Sequence, residues 1–237
     1  MQLKIYFLLS LLTLSSCAYI DPLIQDVNVV SIADENQISV QMQSEVAKAM
    51  KIVEDSKLTT PVRQIGNRLV AALPRKDFDY QFYVVADNSP NAFTIPGGKI
   101  YVHTGLMQFV ADESELAGVL AHEIGHAYER HPAKSMTRQI GLSQLATRVG
   151  GNSGAIKQMA LKIAGTGALN FYGREDEREA DRIGFNLLRQ TGYPTNGLTR
   201  FLQKLLPLQN GKTPPAFLST HPPTPERIAA LEALSKK

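Results

Sequence analysis

This sequence of 237 residues has little cysteine, no long apolar run and no dense stripe of basic residues. Its single cysteine, Cys17, excludes an intramolecular disulfide framework. The formal net charge is only +3, so nucleic acid is not expected as a partner. No low-complexity tract interrupts a composition that is 43% hydrophobic and 20% charged. The length and composition therefore indicate a globular protein with a substantial core.

The main apolar run, at 5–14, lies close to the N-terminus and follows one positive charge, Lys4. A helix that crosses a bilayer needs about 20 apolar residues, so this run is too short to be a transmembrane span. A charged start, a short apolar stretch and small residues beyond it are typical of a secretory signal. We therefore predict a signal peptide at 1–16.

The residues around Cys17 indicate where the mature protein goes. Leu-Ser-Ser-Cys at 14–17 resembles the bacterial lipobox, in which the cysteine is lipidated and becomes the first mature residue. Ala18 follows in place of the aspartate that commonly retains such proteins in the inner membrane. We predict a lipidated N-terminus and tether at 17–34, anchored in the bacterial outer membrane and facing the periplasm. The alternative is an ordinary signal peptide with an incidental cysteine.

Hydrophobic periodicity predicts one domain over 35–237, with helices around one small sheet. The predicted helices are 40–53, 60–73, 112–131, 175–189, 195–206 and 226–234. The predicted strands are 80–86, 92–95 and 99–103. Pro96 ends the second strand, which we therefore expect at the edge of the sheet. Asp112 and Glu115 fit a capping box, and the segment 141–167 predicts a mobile helical hairpin or lid. The fold class is α+β, mostly helical, with a small antiparallel sheet.

His122, Glu123 and His126 form a His-Glu-x-x-His pattern inside the helix predicted at 112–131. Histidines at i and i+4 project from one helix face, which suits two imidazoles to one metal ion. Glu123 lies beside them, placed to take a proton from a metal-activated water. The flanking apolar residues indicate a buried helix, where these polar groups are costly without a ligand. The alternative is a surface helix that carries them by chance.

A catalytic zinc ion needs a third protein ligand and an open position. In the acidic helix at 175–189, Glu177 and Asp181 share one face with two small residues, Ala180 and Gly184, which allow close helix approach. We predict Glu177 as the third ligand, with Asp181 accepting a hydrogen bond from a ligand histidine. The alternative is a solvated acidic face paired with neighbouring arginines.

The chain resembles the HtpX/BepA/Oma-like family of zinc metallopeptidases, which are of the gluzincin type. The matching elements, in the order of the family, are 91–92 with 96–98, 105–106, 122–126, 177–181, and 221–222 with 226–227. The resemblance implies a zincin-like metallopeptidase domain, one zinc ion per chain and Glu177 as a ligand. Because the chain has no transmembrane span after Cys17 and ends soon after Arg227, it resembles the minimal lipoprotein-type members.

The resemblance also implies roles outside the two helices. It implies that an edge strand flanks the active site and binds extended peptides, an expectation that concerns Asn91, Ala92, Phe93 and Thr94. It implies that His221 lies near the zinc and occupies its open position in a resting state; a packing role is the alternative. Arg227 matches a family arginine that stabilises an oxyanion. His131 is expected on another helix face, and His103 on the hairpin, both as structural residues.

We expect a zinc-dependent endopeptidase of the bacterial cell envelope. Its substrates would be polypeptides, with misfolded or misassembled envelope proteins as the class that the resemblance implies. The alternative is a chaperone-like peptide-binding lipoprotein with little turnover. Replacement of Glu123 separates the two functions, because the enzyme would lose its activity and the binder would not.

Overall fold

A computed structural model describes residues 28, 30–140, 153–166, 172–211 and 214–236. The predicted signal peptide, Cys17 and most of the tether lie outside the described residues. Much of the predicted lid at 141–167 also lies outside them. Within the described ranges, no helix is both long and apolar enough to cross a membrane.

The described chain is mostly helical, with one small sheet, and this confirms the α+β class. The helices are α1 (Ile32–Ala49), α2 (Ser56–Ala71), α3 (Thr104–Phe109), α4 (Glu113–Tyr128), α5 (His131–Ile140), α6 (Ser153–Thr166), α7 (Arg174–Thr191), α8 (Gly197–Leu205), α9 (Ala216–Thr220) and α10 (Pro225–Leu234), with a 3₁₀ turn at Leu206–Leu208. The strands are β1 (Ile52–Val53), β2 (Gln81–Val85), β3 (Ala92–Ile95) and β4 (Lys99–His103).

The four strands form a mixed sheet in the order β1-β2-β4-β3. β3 and β4 are an antiparallel hairpin, and its turn contains Gly97 and Gly98 at φ +80° and +75°, which glycine adopts without strain. After β2 the chain first forms β3 at the edge of the sheet. β4 then fills the place between β2 and β3 and runs parallel to β2. The prediction of a wholly antiparallel sheet is therefore wrong, but β3 lies at the edge as expected.

α4 is the centre of the domain. Every residue from Ser114 to Ala127 is buried, as expected of a helix that is covered all round. It packs against α2, α7, α8 and β3. On the other face of the sheet, side chains form a second buried cluster with α1, α5 and α6. This cluster includes Phe93 and Ile95 of β3. Helices therefore cover both faces of the sheet, and all four β3 side chains are buried.

α4 and α7 approach each other closely because small residues line their contact. A Cβ added at Gly125 would lie 2.8 Å from the carbonyl oxygen of Ala180. A Cβ added at Gly184 would lie 3.1 Å from the carbonyl carbon of Ala121. The predicted small face of α7 therefore allows the acidic side chains of α7 to reach the histidines of α4.

Candidate metal centre

The cap of α4 fixes where its side chains point. The Asp112 carboxylate accepts hydrogen bonds from the backbone N–H groups of Ser114 and Glu115, at 3.0 and 3.1 Å. The Glu115 carboxylate accepts from the N–H of Ala111, one residue before the position that a capping box uses. With this start, the two histidines of α4 face α7.

Four buried side chains bring donor atoms within 4.8 Å of one another: His122, His126, Glu177 and His221. The Nε2 atoms of His122 and His126 are 3.0 Å apart, and they lie 3.5 and 3.4 Å from the Glu177 carboxylate oxygens. A tetrahedron around zinc, with bonds of about 2.1 Å, has edges of about 3.4 Å. Two imidazoles and a carboxylate at about this spacing could hold a tetrahedral metal ion.

His221 lies between these donors and Glu123. Its Nδ1 is 2.9 Å from Glu177 Oε1 and 3.2 Å from His122 Nε2, while its Nε2 is 3.3 Å from Glu123 Oε1. The other Glu123 oxygen accepts a hydrogen bond of 2.8 Å from the Thr94 hydroxyl. The edge strand β3 therefore touches the site through Thr94, a contact that the sequence pattern does not indicate.

A buried ion pair stands behind His122. His122 Nδ1 lies 2.9 Å from Asp181 Oδ1, so the structure places the predicted partner carboxylate beside the second ring nitrogen of this histidine. Arg227 contacts Asp181 through two nitrogens, at 2.7 and 2.8 Å, and Glu177 through Nη1 at 2.6 Å. Arg227 Nη1 also donates to the Pro222 carbonyl. The arginine thus ties both carboxylates of α7 to the segment that carries His221.

A second imidazole stands behind His126. The Nδ1 atoms of His126 and His131 are 2.9 Å apart, and the Tyr172 ring stacks on His126 with centroids 4.0 Å apart. The expectation that His131 points to another helix face is wrong, because α4 ends at Tyr128 and the chain turns at Arg130, which has φ +58°, before α5 begins. No sequence signal indicated Tyr172. His103 fits its structural role, since it is buried at the end of β4 near Ser89.

The electrostatics of the cluster favour a cation where the donors converge. Burial alone would lower the pKa of His122, but hydrogen bonds to Asp181 and Glu177 raise it to about 9. Burial opposes ionisation of Glu177, yet Arg227 and the neighbouring histidines hold the pKa of this carboxyl well below its usual range. Burial lowers the pKa of His126, which is therefore neutral and keeps a lone pair for a metal.

Residues 56–235 match the model of Peptidase family M48. The chain belongs to this family. Its relatives include the beta-barrel assembly-enhancing protease of Yersinia pestis, 35% identical over 190 residues, which cover 75% of this chain and 39% of the relative. The metalloprotease LoiP of Escherichia coli strain K12 is 32% identical over 211 residues, which cover 86% of this chain and 79% of LoiP.

A third relative is the mitochondrial metalloendopeptidase OMA1 of Schizosaccharomyces pombe, 31% identical over 176 residues. That match covers 73% of this chain and 52% of OMA1. The chain spans less than half the length of the assembly-enhancing proteases of Yersinia pestis and Escherichia coli that it matches. Membership of the M48 family confirms the predicted family and the predicted metalloendopeptidase class, and M48 peptidases depend on a metal ion.

Proposed function

We propose that this M48 member is a zinc-dependent endopeptidase in which His122, His126 and Glu177 hold one zinc ion. The convergence of these three donor groups at tetrahedral spacing, all of them buried, carries the proposal. A zinc ion at this position would polarise water and the carbonyl group of a peptide bond. The close packing of α4 against α7 already brings the three proposed ligand side chains together.

Glu123 is the proposed general base. Its carboxylate is fully buried beside the donor cluster, and the Thr94 hydroxyl holds one oxygen while the other faces His221. A carboxylate in this position accepts a proton from the attacking water and returns it to the leaving amine. Thr94 lies on the edge strand, so a peptide that pairs with β3 would run past Glu123. We propose the segment Asn91, Ala92, Phe93 and Thr94 as this docking edge; because all four residues are buried, docking requires that this edge first becomes accessible.

His221 is the proposed resting-state plug. Its ring contacts both Glu177 and Glu123, and so it occupies the space that a water or a peptide carbonyl needs. The Arg227 hydrogen bond to Pro222 holds the same segment in place. All three N–H-bearing nitrogens of Arg227 are engaged in this arrangement, so its proposed role on an oxyanion requires that the Pro222 contact opens first.

We propose extended polypeptides as the substrate class, and misfolded or misassembled envelope proteins as its natural members. The names of the bacterial relatives, which include assembly-enhancing proteases, support this proposal. A lipid on Cys17 would place the domain at the periplasmic face of the outer membrane. Acyl-chain labelling of the wild type and of Cys17→Ser, expressed in a bacterial host, tests that placement. An unlabelled wild type would contradict the proposed anchor.

The test of the mechanism compares the full-length wild type with Glu123→Gln and His221→Ala, using casein as an unfolded substrate. Zinc content is measured on each protein. We expect about one zinc per chain in all three, loss of cleavage in Glu123→Gln, and faster cleavage in His221→Ala because the plug is removed.

Two outcomes would contradict the proposal. A wild type that contains no zinc would contradict the proposed metal centre. Zinc binding without cleavage in both the wild type and His221→Ala would instead favour the chaperone-like binder. That function is then measured as protection of an unfolded protein from aggregation, and Glu123→Gln should retain it.

A further inference from the structure

The turn between α4 and α5 has an unusual backbone. Arg130, the residue just before α5, has φ +58°, the left-handed region that a residue with a side chain adopts at a cost. Its guanidinium holds this conformation by contacts with the buried Glu35 carboxylate, at 2.7 Å, and with the Val30 carbonyl. Glu35 of α1 and the backbone just before α1 therefore stabilise the turn that follows the proposed metal-binding helix.

This turn decides where His131 lies. In a continuous helix, a residue five positions after His126 would point about 140° away from it. The turn at Arg130 instead brings His131 beside His126, with Nδ1 atoms 2.9 Å apart. The other ring nitrogen of His131, Nε2, faces Glu179 Oε2 at 3.3 Å and Asp176 Oδ1 at 3.7 Å. His131 is fully buried, so both ring nitrogens depend on these partners.

The direction of the hydrogen bonds follows from the chemistry of a ligand histidine. If Nε2 of His126 binds a metal, its Nδ1 carries the proton of the neutral ring. That N–H can donate only if Nδ1 of His131 accepts, and His131 must then carry its own proton on Nε2. This proton points to the Glu179 carboxylate, which accepts it. One consistent chain runs from His126 through His131 to Glu179.

We propose that His131 is a positioning residue that fixes the tautomer and ring orientation of His126 for metal binding, with Glu179 fixing His131 in turn. The inference rests on the proposed zinc site and adds an imidazole as the partner of its second histidine. It departs from the usual carboxylate or carbonyl partner, which His122 has in Asp181.

The experiment uses the full-length chain with His131→Asn and His131→Leu. Asparagine and leucine have nearly the same shape, and asparagine Oδ1 takes the place of histidine Nδ1 as an acceptor. Zinc affinity is measured by competition with a chromogenic chelator, alongside kcat and KM on casein. We expect His131→Leu to bind zinc about 10- to 100-fold more weakly, and His131→Asn to stay within about threefold of the wild type.

A second pair of variants tests the outer end of the chain without changing a buried ring. Glu179→Gln should weaken zinc binding by about threefold, because the glutamine amide can still accept from His131 but carries no charge. Glu175→Gln is the matched control, since Glu175 lies one turn earlier on α7 and contacts Arg178 at an exposed position. It should bind zinc as the wild type does.

The outcomes separate this inference from the proposed function. Equal losses in His131→Asn and His131→Leu would overturn it and indicate that His131 only fills space, and so would wild-type zinc affinity in His131→Leu. If His131→Leu does not fold, an effect of Glu179→Gln no larger than that of Glu175→Gln overturns the inference. The proposed function stands in every one of these cases if the wild type binds zinc and cleaves casein and Glu123→Gln does not cleave it.

Discussion

His122 and His126 lie one turn apart on α4, but their second ring nitrogens face different chemistry. Behind His122 stand the Asp181 carboxylate and the Arg227 guanidinium, joined by two hydrogen bonds in a buried ion pair. Behind His126 stand the neutral His131 ring and the stacked Tyr172 ring. One half of the candidate centre is ionic, and the other half is neutral and aromatic.

The difference predicts how each half responds to substitution. In a buried ion pair, removal of one partner leaves an uncompensated charge, so the cost is large and falls on the whole fold. In the neutral half, a lost contact removes a hydrogen bond or a stacking interaction of about 1 kcal/mol and leaves no charge behind. Removal of Arg227, the cation of the ionic half, should therefore destabilise the fold, whereas loss of a side-chain contact in the neutral half should mainly affect metal affinity.

Arg227→Met should have the largest effect, because it leaves Glu177 and Asp181 buried without their cation. We expect the free energy of unfolding of the metal-free protein to fall by about 3–5 kcal/mol, measured by urea denaturation. Added zinc should restore part of the loss by neutralising the carboxylates. Arg178→Met, at an exposed position on α7, should change stability by less than about 0.5 kcal/mol. Equal effects of the two variants would contradict the ionic character of this half.

Asp181→Asn keeps an oxygen that can accept from His122 and removes the negative charge. We expect zinc affinity to fall about tenfold, at the lower end of the range for partners of ligand histidines. Chelator competition measures this change, and urea denaturation of the same samples separates it from a loss of folding. An unchanged affinity would mean that the hydrogen bond, and not the charge, is what Asp181 contributes.

Two glycines set the spacing between α4 and α7. Gly125→Ala changes it beside His126, and Gly184→Ala changes it beside His122. A Cβ at Gly125, beside His126, lies 2.8–2.9 Å from Ala180 backbone atoms, while one at Gly184, facing His122, lies 3.1 Å from its nearest atoms. We expect Gly125→Ala to destabilise the protein by about 1 kcal/mol, because overpacking outweighs the helix preference of alanine. Gly184→Ala should be near neutral. The reverse order in thermal unfolding would contradict this account.

The smallest effect should come from Tyr172, which contacts His126 through its ring face. Tyr172→Phe keeps the stacked ring, and we expect wild-type zinc affinity. Tyr172→Leu removes the stacking, worth about 0.5–1.5 kcal/mol, and should weaken zinc binding about threefold. Chelator competition on the two variants checks the prediction. A loss in Tyr172→Phe would assign a role to the hydroxyl group.

The sequence was sufficient where local signals agree. The helix at 112–131 and the helix at 175–189 were predicted close to their observed bounds, because caps and periodicity mark them. The predicted helix 40–53 begins and ends later than α1 (Ile32–Ala49). The start of α1 is marked by Ser31, which caps it by accepting a hydrogen bond from the N–H of Asp34. The Ser-x-x-Asp spacing was the available signal.

What the sequence did not reveal depends on contacts between distant residues. The helix face indicated Asp181, but its bonds to Arg227 join residues 46 positions apart. The place of His131 depends on the left-handed Arg130, and Arg130 depends on Glu35, 95 positions earlier. No local pattern predicts such a backbone, since an arginine rarely adopts it. Periodicity therefore placed His131 on a helix that had already ended.

The turn at Arg130 also sets a length constraint on this part of the chain. Four residues separate His126 from His131, and the turn within them brings the two rings together. One residue inserted or deleted in that interval would rotate His131 away and move α5 with it, while His122, Glu123 and His126 would stay unchanged. In this protein, the five-residue pattern of α4 extends to a ten-residue unit from His122 to His131 whose spacing is fixed.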